Sequence, residues 1–488
     1  MEQTNVKLFP HLTNEIVADI TGFKLDAYLI ALEGWRRGLK LKWYKDETEV
    51  CKLDRLNSST HGKFFSLSSN TNFHYFFRSR GNKVANKTVR ICQDKEKTKD
   101  ILSRNGIAIP QGRVFEVDDE DIVNYALDIG FPMIIKPVKG SMGKGVYTNL
   151  QNEKELKDAI TDFRSRYKYS EFIVEKHYPG NEYRIYVVGD KVIGATNRIP
   201  ANVIGDGESS ITTLIKNKNK ERKKNPYLAP KPIKVDYEVV HSLKRIGYDE
   251  KSVPERGEHV FLREKSNLSS GGDPIEATDE LSAEVKKLAV DALKALPSIP
   301  HAGVDIIVDP SSNKKGVVLE VNATAEIAFH LFPLSGKARD VPAAIIDYYF
   351  PETINEERSN FYFNYKSVLE PLKTWAADEI EVSQSLSGLI YGKKYVASGK
   401  VQKVGYMNWI RRQALKKKLI GYAKKLDDNK IEIVVVGTNQ KDVDDFVEQC
   451  YIGSKKSKVD NVMHEKWEKN KPLKVGFEII TEKNKRVL

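Results

Sequence analysis

Three hard oxygen ligands stand at a spacing that suits a divalent cation. Asp305 lies in the run Gly303–Val308, and Glu320 and Asn322 lie in Gly316–Asn322. Both runs read as short strands joined by the polar turn Asp309–Lys315, which makes them an antiparallel pair. Side chains two apart on a strand share a face, so Glu320 and Asn322 point the same way and Asp305 can lie opposite them. Such a set matches Mg2+, which takes few protein carboxylates and completes its shell with water and nucleotide phosphates. A carboxylate without a partner is costly to bury in an apolar strand, so metal binding is favoured over packing.

A second stretch, FPMIIKPVKGSMGKGV at 131–146, carries complementary chemistry. Phe131–Ile135 reads as a buried strand that delivers the Lys136 cation. Gly140, Ser141, Gly143 and Gly145 follow in a loop whose backbone N–H groups can cradle phosphate oxygens. No Gly-Lys-Ser/Thr closes the loop, so it is not a Walker A sequence, and it lacks the Rossmann spacing. Between the two stretches, Glu175-Lys176 and Glu182 flank Pro179-Gly180. The two glutamates suit a cleft that reads a base and a ribose, or else they are exposed on a plain hairpin.

The elements expected to position these residues alternate between helix and strand. A helix with apolar residues at Leu25, Tyr28, Leu29, Leu32 and Trp35 is followed by strands at 39–44 and 64–67, and 70–86 reads as a loop. A helix runs from Asp94 to Asn105, carries Lys95 and stops at Gly106. A strand at 113–117 and a helix at 119–129 precede Phe131. Strand 192–198 leads into a tight loop and a helix at 210–216. The charge-rich excursion 217–234 reads as solvated surface. Arg263 ends a strand before the glycine loop 267–272, and an amphipathic helix starts at Thr278-Asp279. From 388 onward the order strand, helix, strand, strand, helix, strand suggests a ferredoxin-like sandwich.

Composition narrows the class. The 488 residues point to roughly three domains. A hydrophobic fraction of 40% with 30% charged residues describes a soluble globular chain. No apolar run reaches about 18 residues, so no membrane span is expected. The first residues lack the build of a signal peptide. Three scattered cysteines suit a reducing cytoplasm and argue against disulfides or a zinc site. The net charge of +12 comes from dispersed lysines without a nucleic-acid recognition motif, which favours an anionic small-molecule substrate over DNA or RNA.

Taken together these residues resemble the ATP-grasp superfamily over roughly 90–350. The points of likeness are the Lys95 helix, Ile135-Lys136-Pro137, the glycine lid, Val174-Glu175-Lys176 with Glu182, and Asp305 with Glu320-Val321-Asn322. Tyr183-Arg184, Arg198 to Gly207, Asn267 to Gly272 and His330 to Arg339 bring the likeness to the ligase module of cyanophycin synthetases and bifunctional glutathione synthetases. The resemblance implies an ATP-dependent carboxylate–amine ligase with ATP and Mg2+ (or Mn2+) as cofactors. It implies an acyl-phosphate intermediate, small-molecule carboxylate and amine (amino acid or peptide) substrates, and a cytoplasmic, sometimes homo-oligomeric enzyme.

By the same resemblance, Lys95, Lys136, Gly140, Ser141, Gly143, Gly145, Glu175 and Lys176 would bind the nucleotide and Glu182 its ribose. Asp305, Glu320 and Asn322 would bind metal, and Arg184, Arg198 and Arg263 would stabilise the transferring phosphoryl group. One departure stands out. Ala323-Thr-Ala-Glu326-Ile-Ala-Phe329-His330 replaces the family's small Pro-Gly turn beside the acceptor.

Residues 399–407 resemble the phosphate loop of acylphosphatase, but Met407 and Lys425 stand where that family has arginine and asparagine, and Lys403 replaces a glycine. A methionine cannot clamp phosphoryl oxygens as arginine does, so an inactive acylphosphatase-like domain is expected. The expected organisation is an α/β unit at 1–90, an ATP-grasp domain at 91–350, a linker at 351–385 and a βαββαβ domain at 386–488. A carboxylate kinase, a ligase with a non-amine acceptor and a nucleotide-sensing non-enzyme remain as alternatives.

Overall fold

The computed structural model describes residues 8–18, 20–45, 53, 59–138, 145–312, 314–426, 429–468 and 471–480. The N-terminal unit is built around the helix Phe23–Arg36, in which every residue from Leu25 to Arg36 is buried. A helix enclosed on all sides needs cover on all sides, and the strands that follow it, the helix Val341–Tyr349 and residues 351–385 supply it. Lys40–Tyr44, Phe64–Ser68, Phe73–Phe77 and Arg80–Gly81 form an antiparallel meander. The loop expected at 70–86 is therefore in part a strand pair. Phe65 stacks on Phe76 with centroids 5.2 Å apart, and such cross-strand aromatic pairs stabilise a sheet.

The other edge of this sheet is Glu379–Val382, antiparallel to Lys40–Tyr44. Residues 351–385, expected to act as a linker, instead complete the N-terminal unit. Phe361, Phe363 and Tyr365 are buried there, with Phe363 against Tyr28 and Trp35 and Tyr365 against Trp43.

Two sheets position the candidate site. The first runs Gly112–Glu116, Glu171–Lys176, Met133–Pro137, Tyr147–Leu150. Its core includes residues from the helices Ile122–Ile129 and Glu153–Arg166. The second is antiparallel and runs Asp273–Glu276, Lys191–Ile199, Asn181–Val188, His301–Val308, Gly316–Asn322. Glu171–Lys176 and Asn181–Val188 thus belong to different sheets, so the plain hairpin is excluded.

The helix expected from Thr278 begins instead at Ala283, capped by Ser282, whose side chain accepts from Val285 N–H. Thr278 is engaged elsewhere, because its Oγ1 accepts the Ala195 N–H at 2.7 Å. The charged excursion is not simply solvated. Helix Ile211–Arg222 extends into it, Arg222 is buried, and Arg222 and Lys218 both grip Asp273.

The C-terminal sheet runs Lys458–Lys466, Tyr391–Lys400, Lys430–Gly437, Ile420–Lys425, Phe477–Ile480, with helices Tyr406–Lys416, Gln440–Asp444 and Phe446–Ile452. The βαββαβ order expected from the sequence is present. Alternation along Lys430–Gly437 sends Ile431, Ile433 and Val435 into this domain's own core and Val434 and Val436 into the N-terminal unit's core. Phe361–Tyr362 also pairs in parallel with Leu473–Lys474, so the domain is seated on that unit. Among the described residues no helix is long and apolar enough to cross a membrane, and Cys92 and Cys450 are free thiols.

Candidate active site

Lys136 reaches Glu175 from the neighbouring strand, and Lys99 reaches the same carboxylate from the helix Lys95–Arg104. That helix is fixed by Asp94, whose side chain accepts from Lys97 N–H. Burial alone would raise the pKa of Glu175, but the Lys136 and Lys99 ammonium groups outweigh it and hold it below its ordinary value. One carboxylate cannot compensate two cations. Burial, with the Lys136 charge beside it, therefore lowers Lys99 to about 8 despite Glu175.

Lys95 is also lowered by burial and feels Glu320 first among the carboxylates, then Glu175. Its helix packs against strand Gly316–Asn322, which sets the lysines beside the oxygen ligands. A cluster with this excess of buried positive charge is prepared for an anion. Lys99 loses its proton as pH rises through about 8. Affinity for a polyphosphate anion measured by titration calorimetry is accordingly expected to be steady from pH 6.5 to 7.5 and to fall several-fold by pH 9.5, with Lys99→Arg abolishing the fall.

The second cluster lies on the antiparallel sheet. Asp305 is opposite Arg184 on one neighbouring strand and Glu320 on the other. Arg184 grips Asp305 through Nε and through Nη2, the latter at 2.9 Å. Arg198 Nη2 donates to the same carboxylate at 3.0 Å and also to Glu182. Desolvation would raise the Asp305 pKa, yet Arg184 and Arg198 bring it down to about 2. Glu320 moves the other way, raised by burial and by the Asp305 charge, with Arg184 opposing. Asn322 Nδ2 donates to Glu320 Oε1 at 2.9 Å, so the expected oxygen set is brought together.

These residues fit a hard divalent cation. Asp305 accepts three hydrogen bonds, and a carboxylate has about four lone-pair sites, which leaves one open. Glu320 and the Asn322 carbonyl oxygen add two more donors. Among the described residues no trio of His, Cys, Asp and Glu forms a metal cage. The set is two carboxylates and a carboxamide.

Four expected residues are placed otherwise. Lys176 Nζ caps the end of helix Ile122–Ile129, donating to the carbonyls of Ile129, Gly130 and Phe131. Both oxygens of Glu182 are engaged, by Arg198 and by Ser266, and Glu175 is engaged by the two lysines. Arg263 pairs with Asp236 and Glu238, and no contact among the described residues joins it to Arg184, Arg198 or Asp305. Gly140, Ser141 and Gly143 lie outside the described residues, whereas Gly145 has φ +68°, the left-handed region that favours glycine. Lys99 was missed in the sequence, although Lys95 and Lys99 stand at i and i+4, one face of a helix.

Residues 92–211 match the RimK-like ATP-grasp domain family, and residues 393–479 match the acylphosphatase family. The chain is 33% identical over 280 residues to a cyanophycin synthetase of Geminocystis herdmanii, covering 55% of this chain and 32% of that one. It is 32% identical over 340 residues to the glutathione biosynthesis bifunctional protein GshAB of Clostridium perfringens, covering 67% and 41%. Among solved structures, a bifunctional glutathione synthetase from Pasteurella multocida aligns at 28% identity over 61% of this chain and 41% of that one, with a TM-score of 0.46. An acylphosphatase from Bacillus subtilis aligns at 27% identity over 19% of this chain and 100% of that one, with a TM-score of 0.18. The chain spans less than half the length of these curated relatives. A segment similar to RimK-like ATP-grasp domains is thus followed in the same chain by one similar to acylphosphatases.

Proposed function

We propose that the chain is an ATP-dependent carboxylate–amine ligase that forms an amide through an acyl phosphate and releases ADP. The observation that carries this reading is the pairing of two buried lysines on one carboxylate with an oxygen-ligand set, on a helix and a strand that pack together. Phosphoryl transfer asks a protein mainly to position reactants and neutralise charge, and these two clusters supply both. Lys95, Lys99 and Lys136 would hold the nucleotide phosphates. Glu320, Asn322 and the open lone pair of Asp305 would hold Mg2+ or Mn2+, which when bound neutralises phosphate charge.

Arg184 and Arg198 remain charged despite burial, because Asp305 sustains both and Glu182 also sustains Arg198. They would stabilise the transferring phosphoryl group and the acyl phosphate. Glu182 then orients Arg198, in addition to any contact with the ribose. The relatives named as cyanophycin synthetase and GshAB support amino acids or peptides as substrates. ADP release from MgATP that requires an acid and an amine together is the test.

The acylphosphatase-like domain is read as inactive. Gln402 Nε2 holds the loop 399–407 to the carbonyls of Leu426 and Lys430 at 3.0 and 3.1 Å. Lys403 sits at φ +58°, in the region where a side chain is strained. Met407 offers no donor where a guanidinium is needed. The 488-residue chain is therefore expected to hydrolyse benzoyl phosphate no faster than buffer, and release of phosphate well above that background would show the domain active.

A further inference from the structure

A cavity of about 380 Å³ opens where the N-terminal unit meets the body that carries the candidate site, a size within the range of small-molecule pockets. Its floor is Leu293, Leu296 and Ile299, all buried. Leu293 belongs to helix Ala283–Ala295, and Ile299 stands just before strand His301–Val308. Lys83 comes from the N-terminal unit, Lys294 from that helix, and Tyr348 from helix Val341–Tyr349. No carboxylate is among the described residues that line it.

The walls are tied to one another. The Ala85 N–H donates to the Ser298 carbonyl at 3.0 Å, and the Gly189 N–H donates to the Pro300 carbonyl at 2.7 Å. Lys83 Nζ donates to the Tyr348 carbonyl at 3.3 Å and lies 5.1 Å from the ring centroids of both Tyr348 and Tyr349. Two rings and a carbonyl thus place this cation, with no acid beside it. Lys294 likewise has no ion pair among the described residues. Walls fixed in this way lower the ordering cost of binding.

The lining sets the chemistry of what fits. Apolar surface moved from water onto the floor stabilises a bound hydrocarbon body by about 25 cal/mol per Å². The carbonyl end of helix Ala283–Ala295 alone would repel an anion. Two ammonium groups in a lining without acids reverse that sign. No arginine fork is among the described lining residues to clamp a phosphate, so a single negative charge suits the cavity better. The cavity also stands apart from the candidate active site. Gly189 follows the end of strand Asn181–Val188 away from Glu182, about 20 Å along the strand.

We propose that this cavity is a second small-molecule site and takes a monocarboxylate with an apolar body, an arylalkyl or aliphatic acid. The body lies on Leu293, Leu296 and Ile299, and the carboxylate is held by Lys83 and Lys294. A ligand there touches the segment that leads through helix Asn86–Gln93 to Lys95.

The test is titration of the 488-residue chain with phenylacetate, phenylpropionate, isovalerate and hexanoate, each beside its neutral amide. Binding is followed by saturation-transfer NMR and by calorimetry. At least one acid is expected to bind with a Kd of about 1 mM or tighter, and its amide about 10-fold more weakly. Lys83→Gln and Lys294→Gln are each expected to weaken that acid about 3-fold, the scale of one exposed ion pair, and the double variant about 10-fold. A saturating non-hydrolysable MgATP analogue is expected to leave the acid bound. Binding of no acid, equal binding of the amide, wild-type affinity in both single variants, or displacement by the nucleotide analogue would overturn the site.

Discussion

Replacing Glu320 with Gln is expected to lower ADP formation by on the order of 10²–10³-fold while leaving the fold intact. Glu320 is the carboxylate of the oxygen set less committed to protein partners. Its side chain is 36% exposed, it accepts from Asn322, and Arg184 lies 4.0 Å away. Gln keeps the shape and an acceptor for Asn322 but removes the charge that a divalent cation needs. Asn322→Ala should act in the same direction. The measurement is steady-state ADP release across a Mg2+ titration, where the variant should need far more metal. Wild-type kinetics in Glu320→Gln would remove the metal assignment.

The largest stability effect is expected at Asp305. Its carboxylate is 2% exposed and balances two guanidinium groups that are themselves largely buried. Asp305→Ala leaves Arg184 without its bidentate partner and Arg198 with Glu182 alone. Breaking a buried pair by removing one partner costs about 3–5 kcal/mol, because the remaining charge stays buried. Thermal unfolding followed by circular dichroism should show the transition of this region several degrees lower.

The pH dependence has a definite sign. Asp305 falls from 3.8 to about 2 in the folded chain, so its contribution is fully present above the unfolded value. It is lost as pH drops through about 2. The Asp305→Ala variant should lack that part of the wild-type acid response, and a variant as stable as wild type would show the arginine pair to be sustained by Glu182 and solvent.

The sequence was most legible where chemistry depends on strand period. Asp305 opposite Glu320, with Asn322 on the same face, followed from alternation and one polar turn. Lys136 at the end of an apolar strand was legible for the same reason. What was hidden depended on partners far away in the chain. Glu379–Val382 pairs with Lys40–Tyr44 across more than 300 residues, and no local period announces that. Glu175 and Glu182 looked like free ligands because their strands are adjacent in sequence; their partners Lys99, Lys136, Arg198 and Ser266 come from other elements. Arg263 was grouped with Arg184 and Arg198 by the resemblance, whereas Asp236 and Glu238, at the start of helix Tyr237–Arg245, hold it.

The central claim is that one chain couples ATP cleavage to amide formation. Its most direct measurement is ADP release from MgATP against carboxylates and amines offered singly and in pairs, with mass spectrometry of the products. The account predicts ADP only when a particular acid and amine are present together, and a product lighter than their sum by one water. ADP formed with a single carboxylate at the same rate, with no condensed product in any pair, would contradict it.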